Sequence, residues 1–319
     1  MLVALTDKDW DILIRAIQDS HCTPFLGAGV NYGLLPLGGD IARKWAKQYE
    51  YPLADKDNLI RVAQFLAVDY FPMFPKDEVI RLLQQAAEKN GSRKAPPALD
   101  ILADIPFPVY LTTNYDNSMF AALKRNNRDP KREICRWNTL TKTLPSMVDS
   151  NYVPSPANPL VFHLHGHLDV PASIVLSEDD YFDFLINSRD PSLLPKNIET
   201  ALTNTLVLFL GYGLADWNFR VLLQGLSRFM EKGLGRTHIA VMLPPGKRNS
   251  EVEKQKIQKY LTAYYQKIDV KVFWGTVEEF CEELGRRWHK SVQERIRNSG
   301  KSLGAGKKRR SNSTGRGRS

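Results

Sequence analysis

Apolar residues first fall at helical spacing: Trp10, Leu13, Ile14 and Ile17 share one face of a segment from Asp7 to Asp19, with Thr6 or Asp7 placed to cap it. The period then changes. A short apolar run at Pro24 to Leu26 predicts a buried strand, after which helical spacing returns over 40–50, 57–71, 76–90 and 96–104, the last opened by Pro96-Pro97. No strand-like run interrupts these four segments, so a helical subdomain inserted at about 33–105, after the first strand, is the simplest account. Further apolar runs recur at 107–112, 133–137, 159–164, 206–211, 238–243 and 269–274, and helical patterns such as 116–125, 195–204, 215–231 and 250–266 lie between most of them. Glu278 to Arg297 closes the pattern as a charged amphipathic helix. Continuous apolar runs alternating with helices predict a parallel sheet covered on both faces. The expected fold class is α/β, a doubly wound, Rossmann-like parallel sheet, with residues 1–298 as one domain and ligands at the carboxyl ends of the strands.

Composition agrees with a globular chain: 43% of the 319 residues are hydrophobic and 25% charged. No run of about 18 or more apolar residues predicts a transmembrane helix, and the N-terminus lacks the basic and apolar regions of a secretory signal. No membrane partner is expected, and the expected location is cytoplasmic. Cys22, Cys135 and Cys281 are far apart, with no C-x-x-C pair, which argues against both a structural zinc site and a disulfide framework. The net charge of +9 is uneven, because residues 301–319 hold seven Lys or Arg and no acid. The segment 299–319 is therefore expected to be a disordered basic tail. It reads equally as a solubilising extension and as a contact for nucleic acid, an acidic partner or an import receptor.

Chemistry concentrates at strand ends. Phe25-Leu26-Gly27-Ala28-Gly29-Val30-Asn31 runs from an apolar strand into two glycines, which suits both a plain strand-to-helix turn and a phosphate cradle. The next glycine is Gly33, one residue beyond the dinucleotide fingerprint, and no P-loop signature occurs. Leu111-Thr112-Thr113-Asn114-Tyr115-Asp116 ends a second strand. There Asn114 or Asp116 caps the next helix, or Asn114 orients a ribose hydroxyl or a water while Asp116 braces the loop. His163, His165 and His167 alternate at a third strand end and would share one side if the strand continued. A metal on them needs that continuation through Gly166 and acidic partners that the sequence does not supply, so no metal is expected. A single histidine acting as general base needs less. At a fourth strand end, Gly211-Tyr212-Gly213 brings backbone close to a ligand, and Asp216 would cap the following helix.

Taken in order, G-A-G, T-x-N-x-D, a strand ending in H-G and a late strand ending in G-Y-G-x-x-D, the chain resembles the sirtuin-like superfamily over roughly residues 20 to 280. The resemblance implies NAD as ligand, bound by Gly27, Ala28, Gly29, Asn31, Thr113, Asp116, Gly211, Gly213 and Asp216. It also implies that Asn114 and His165, the histidine before Gly166, are catalytic. His163 and His167 fall outside the matched motif and inherit no role. The departures are informative: no paired C-x-x-C ribbon follows H-G, and the D-F-R of deacylases is replaced by Gly33-Leu-Leu-Pro36-Leu-Gly-Gly-Asp40. Residues 168–182 run instead to a helix cap at Ser177-Glu-Asp-Asp-Tyr181.

These losses match the divergent sirtuin-like domains of prokaryotic antiphage systems, which hydrolyse NAD outright. The expected activity is thus an NAD glycohydrolase (NADase) releasing nicotinamide and ADP-ribose, the effector of an abortive-infection defence system. The alternatives are an NAD-dependent protein deacylase and a non-catalytic NAD or ADP-ribose binding subunit. With no room in the sequence for a separate sensor domain, the resemblance implies that the chain forms a homo-oligomer or works with a separately encoded partner such as an ATPase or Argonaute-like protein.

Overall fold

A computed structural model describes residues 5–90, 96–146, 152–187, 194–213, 237–244 and 250–311. Helix α1, Asp7–Gln18, starts where Thr6 and Asp9 cap each other reciprocally, and it buries Trp10, Leu13, Ile14 and Ile17. Strand β1, Cys22–Leu26, follows and is wholly buried. It starts two residues earlier than the apolar run suggests because Thr23 is buried with a partner, the Thr205 hydroxyl, which donates to it at 2.8 Å. A 3-10 turn at Ala28–Asn31 leads into α2 (Gly38–Gln48), α3 (Leu59–Asp69), α4 (Phe74–Asn90) and α5 (Pro97–Asp104). These are the four expected helices, each within a few residues of its expected bounds.

The remaining elements in order are β2 (Val109–Thr112), α6 (Ser118–Arg125), β3 (Lys131–Ile134), α7 (Thr139–Lys142), β4 (Leu160–His163), α8 (Glu178–Asn187), α9 (Lys196–Asn204), β5 (Leu206–Leu210), β6 (His238–Met242), α10 (Glu251–Gln266), β7 (Val270–Trp274) and α11 (Val277–Ser311). The expected helix at 215–231 lies outside the described residues. Two further boundaries differ from expectation. The third strand leaves the ladder at Ile134 instead of running from 133 to 137: Cys135 donates the last bond, to the His163 carbonyl at 2.9 Å, and Asn138 then caps α7. Cys135 and Trp137 are buried, so their apolar character reports core packing rather than strand pairing. Helix α11 continues past Arg297 to Ser311, into the segment expected to be a disordered tail.

Among the described residues, seven strands pair in parallel in the order β3-β4-β2-β1-β5-β6-β7. Successive residues of β5 divide between two cores, Val207 and Phe209 on one face, Leu206, Leu208 and Leu210 on the other. The first core includes α9 and α10, while the second includes α1, α5, α6 and α11. This is the doubly wound α/β architecture. A third core, built around Trp45, Val62, Leu66 and Val79, belongs to the helical insertion and takes in Ile174 and Leu176 from the segment after β4. The insertion is thereby packed beside the carboxyl ends of the central strands. The order also makes a switch point at β1, whose chain returns to β2 on one side while β5 pairs on the other.

Candidate functional site

The carboxyl ends of β1, β2, β4 and β5 meet in a cleft of about 2050 Å³. Its lining includes Ala28, Gly29, Asn31, Thr113, Asn114, Asp116, His165, Gly211 and Gly213, so most of the residues selected from sequence share one opening. Gly27 lies directly behind it, and Asp216 is outside the described residues.

The glycines are required by contact. A Cβ on Gly29 would stand 2.8 Å from the Gly211 Cα, and Gly211 itself has φ +82°, a conformation that side chains disfavour. The turn after β1 is thus pressed against the turn after β5. That contact alters one expectation: the Gly27 and Gly29 N–H groups, which suit a diphosphate, donate instead to the Leu210 and Gly211 carbonyls at 2.8 and 2.9 Å. The glycines therefore serve the packing of the two turns on each other, and those two amides are already engaged.

Asn114 ties three strand ends together. Its side-chain amide donates to the Gly27 carbonyl at 3.1 Å, its N–H donates to Thr112 Oγ1 at 3.0 Å, and its carbonyl lies 2.8 Å from His163 Nδ1. Because a carbonyl only accepts, His163 carries its proton on Nδ1. Thr113 Oγ1 and the Tyr212 hydroxyl are hydrogen-bonded at 3.1 Å, and Tyr212 also donates to the Leu26 carbonyl at 3.2 Å. Asp116 accepts from Asn31 Nδ2 and from the Ser118 N–H, each at 2.8 Å, so one carboxylate both holds the first N–H of α6 and braces the glycine turn. Burial, opposed by those hydrogen bonds, raises the Asp116 pKa.

The three histidines do not share a face. Strand β4 stops at His163, and Gly166, at φ +86°, turns the chain under the Ser173 carbonyl, which would lie 2.1 Å from any Cβ added there. His167 accepts the Asp169 N–H on Nδ1 at 3.1 Å, and its Nε2 lies 3.0 Å from both Asn117 Oδ1 and the Arg132 guanidinium. Arg132 also donates to Asn117 Oδ1, at 2.9 Å, and pairs with Asp169 at 2.7 Å. His167 thus fastens the start of α6 to the H-G turn. His165 alone of the three lines the cleft. Its Nδ1 is 3.5 Å from the Tyr181 hydroxyl, and its Nε2 is buried with no hydrogen-bond partner. Burial pushes the His165 pKa down to about 3, so its ring is neutral at pH 7.

Sequence reasoning did not find Tyr181 and Phe184, whose rings meet His165 edge to face at centroid distances of 5.2 Å each. Their signal was present only as an aromatic pair three residues apart behind an acidic helix start. Nor did it find Lys76, whose ammonium pairs with Asp180 at 2.7 Å. Asp180 also accepts the Leu176 and Ser177 N–H groups, so the pair pins the start of α8 to the helical insertion. Among the described residues, no helix is long and apolar enough to cross a membrane.

Comparison with known proteins gives a consistent placement. The SIR2-like domain family matches residues 108–265, the stretch from β2 to the end of α10. The NAD(+) hydrolase ThsA of Bacillus cereus (strain MSX-D12) is 29% identical, over 79% of this chain and 48% of its own length. ThsA of Cytobacillus dafuensis is 24% identical, over 73% of this chain and 44% of its own, and ThsA of Acinetobacter baumannii (strain 532279) is 21% identical, over 87% and 56%. The chain spans about half the length of these curated relatives. The sheet, the strand-end motifs and these matches agree on one likeness, to the SIR2-like domain family over residues 108–265.

Proposed function

We propose that the chain is an NAD hydrolase that cleaves NAD to nicotinamide and ADP-ribose. The observation that carries this reading is the presence of Asn114 and His165 on one cleft with the glycine turn, in a chain whose curated relatives are NAD(+) hydrolases. The glycines let the turns after β1 and β5 pack on each other at the wall of the cleft, where a diphosphate would sit. Asn114, held to the Gly27 carbonyl, orients the ribose or the attacking water.

Rupture of the bond between C1′ and the pyridinium nitrogen releases neutral nicotinamide, so the departing group needs no proton. Charge develops on the ribose as an oxocarbenium-like centre. Water then bonds to C1′, and its proton passes to the neutral His165 ring and on to solvent. The anionic diphosphate, once bound, favours the imidazolium that forms.

The biological setting that fits this reaction is depletion of NAD in the cytoplasm during antiphage defence. The effector would be switched on by self-assembly or by a separately encoded ATPase or Argonaute-like subunit, with the basic C-terminal segment as a docking element or nucleic-acid contact. Residues 1–298 form the catalytic domain in this scheme. The test is incubation of the purified chain with NAD, following free nicotinamide and ADP-ribose, beside Asn114→Ala and His165→Ala. Release that depends on the wild-type residues supports the assignment; undiminished release from both variants overturns it.

A further inference from the structure

We propose that Tyr181 is the positioning residue for His165, its hydroxyl oxygen accepting the Nδ1–H and so fixing the tautomer whose Nε2 lone pair is available for proton transfer. The geometry requires a choice of tautomer. Nδ1 and the Tyr181 oxygen are 3.5 Å apart, and Nε2 is buried without a partner. If the tyrosine donated to Nδ1, the proton would sit on Nε2 as a buried orphan N–H, which folded proteins avoid more strictly than an unpaired acceptor. With Nδ1–H donating, Nε2 is a bare lone pair on a residue that lines the cleft.

The surrounding contacts hold this arrangement. Tyr181 and Phe184 sit on the same face of α8, at i and i+3, and clamp the imidazole edge to face. The residue before Tyr181 is Asp180, fixed by Lys76 and by two backbone N–H groups, so the start of the helix cannot drift. The peptide of His165 is held by the Val175 N–H, which donates to its carbonyl at 3.0 Å, and the Tyr115 hydroxyl donates to the Val175 carbonyl at 2.7 Å. Backbone and ring are therefore oriented from separate directions, and the hydroxyl is what distinguishes the two ring nitrogens. The low pKa of His165 keeps the ring neutral through the physiological range, where tautomer rather than charge decides which nitrogen acts as base.

The proposal rests on the NAD-hydrolase reading for its kinetic consequence, but its physical content does not. The test uses the full-length chain labelled with ¹⁵N-histidine, the His165 ring signals being assigned by their loss in His165→Gln. The wild type is expected to show a protonated Nδ1 and an unprotonated Nε2. Tyr181→Phe, which keeps the ring, is expected to move His165 toward a mixture of tautomers, whereas Phe184→Leu, which keeps the hydroxyl, leaves the tautomer as in the wild type. With NAD, Tyr181→Phe is expected to lower kcat by between about ten- and a hundredfold while KM changes less than about twofold. Unchanged His165 signals in Tyr181→Phe would overturn the proposal, as would a tautomer shift produced by Phe184→Leu alone. Absence of NAD cleavage by every variant and by wild type would instead overturn the functional reading and leave the tautomer result to stand or fall by itself.

Discussion

The side-chain amide of Asn114 donates to the main-chain carbonyl of Gly27, 87 residues earlier, at 3.1 Å. One residue at the end of β2 thus fixes the turn at the end of β1, and any ligand seated on that turn is in register with Asn114. Replacement by alanine removes one partly exposed neutral hydrogen bond, so the stability loss is expected to be about 1 kcal/mol. Under the proposed function activity should suffer far more, by on the order of a hundredfold or greater, because orientation at the ribose would be lost. Asn114→Asp is the sharper variant: a carboxylate facing the Gly27 carbonyl puts two acceptors together and should weaken NAD binding as well as turnover. Nicotinamide release and calorimetric titration with NAD, set beside a thermal melt, separate these effects. A drop in melting temperature that accounts for all lost activity would remove Asn114 from the chemistry.

Gly166 is expected to be the least replaceable residue of the H-G turn. Its φ of +86° is costly for any other residue, and a methyl group there would lie 2.1 Å from the Ser173 carbonyl carbon's oxygen. Gly166→Ala cannot be relieved by rotating a side chain, since the obstacle is backbone. A loss of at least about 2 kcal/mol is expected from the strained dihedral and the displaced Ser173 segment. That segment also donates the Val175 N–H to His165, so activity should fall even where the variant remains folded. Urea unfolding at constant m-value checks the first expectation and nicotinamide release the second.

Much of this architecture could be read from residue order. Strands buried on both faces are apolar throughout, as at Leu206–Leu210, and they announce themselves against helical spacing on either side. The residues at their carboxyl ends are then candidates by position, as Asn114, the three histidines and the glycines were, while the choice of His165 among the histidines came from the resemblance. Contacts between distant segments were not legible. Lys76 and Asp180 are 104 residues apart and each reads as a surface charge, yet both are nearly buried. The adjacency of β3 to β4 rather than β2 is likewise a matter of tertiary packing, to which no local period refers. The alternation of three histidines suggested a shared face, but β4 ends at His163, and the rings of His163 and His167 meet at 4.7 Å while His165 lines the cleft.

The Lys76–Asp180 pair should matter for the site more than for overall charge. Lys76 is buried on α4, also within 5.7 Å of the Trp137 ring centroid, and removing it leaves a carboxylate without its cation. Breaking one side of a buried pair costs about 3–5 kcal/mol in general. Here the Leu176 and Ser177 N–H groups still serve Asp180, so Lys76→Met is expected near the lower end of that range. Asp180→Asn keeps an acceptor for those amides but loses the charge, and should destabilise less than Asp180→Ala. The ordering is checked by chemical denaturation of the three variants. Equal stability of Asp180→Asn and Asp180→Ala would show that the two backbone bonds contribute nothing.

Acid should unfold the protein earlier than its carboxylates alone predict. Burial lowers the pKa of His163 and His165 from 6.5 to about 3, and that of His167 and His238 from 6.5 to about 4. For each, the unfolded chain binds a proton that the folded chain refuses between its two pKa values. Stability is therefore fully present above pH 6.5 and is lost as pH falls toward the folded values, each histidine adding a slope of up to about 1.4 kcal/mol per pH unit. Asp116 acts in the opposite sense, since its raised pKa makes its own contribution more favourable in acid. His238 offers a clean test away from the cleft: its Nδ1 accepts the Val207 N–H at 3.0 Å, and asparagine can supply an acceptor there without titrating. His238→Asn should melt like the wild type at pH 7 after allowance for its altered packing, and lose stability less steeply between pH 6.5 and 4. Parallel pH dependences in the two proteins would mean that His238 is protonated in the folded state, and with it the buried-neutral assignment would fall.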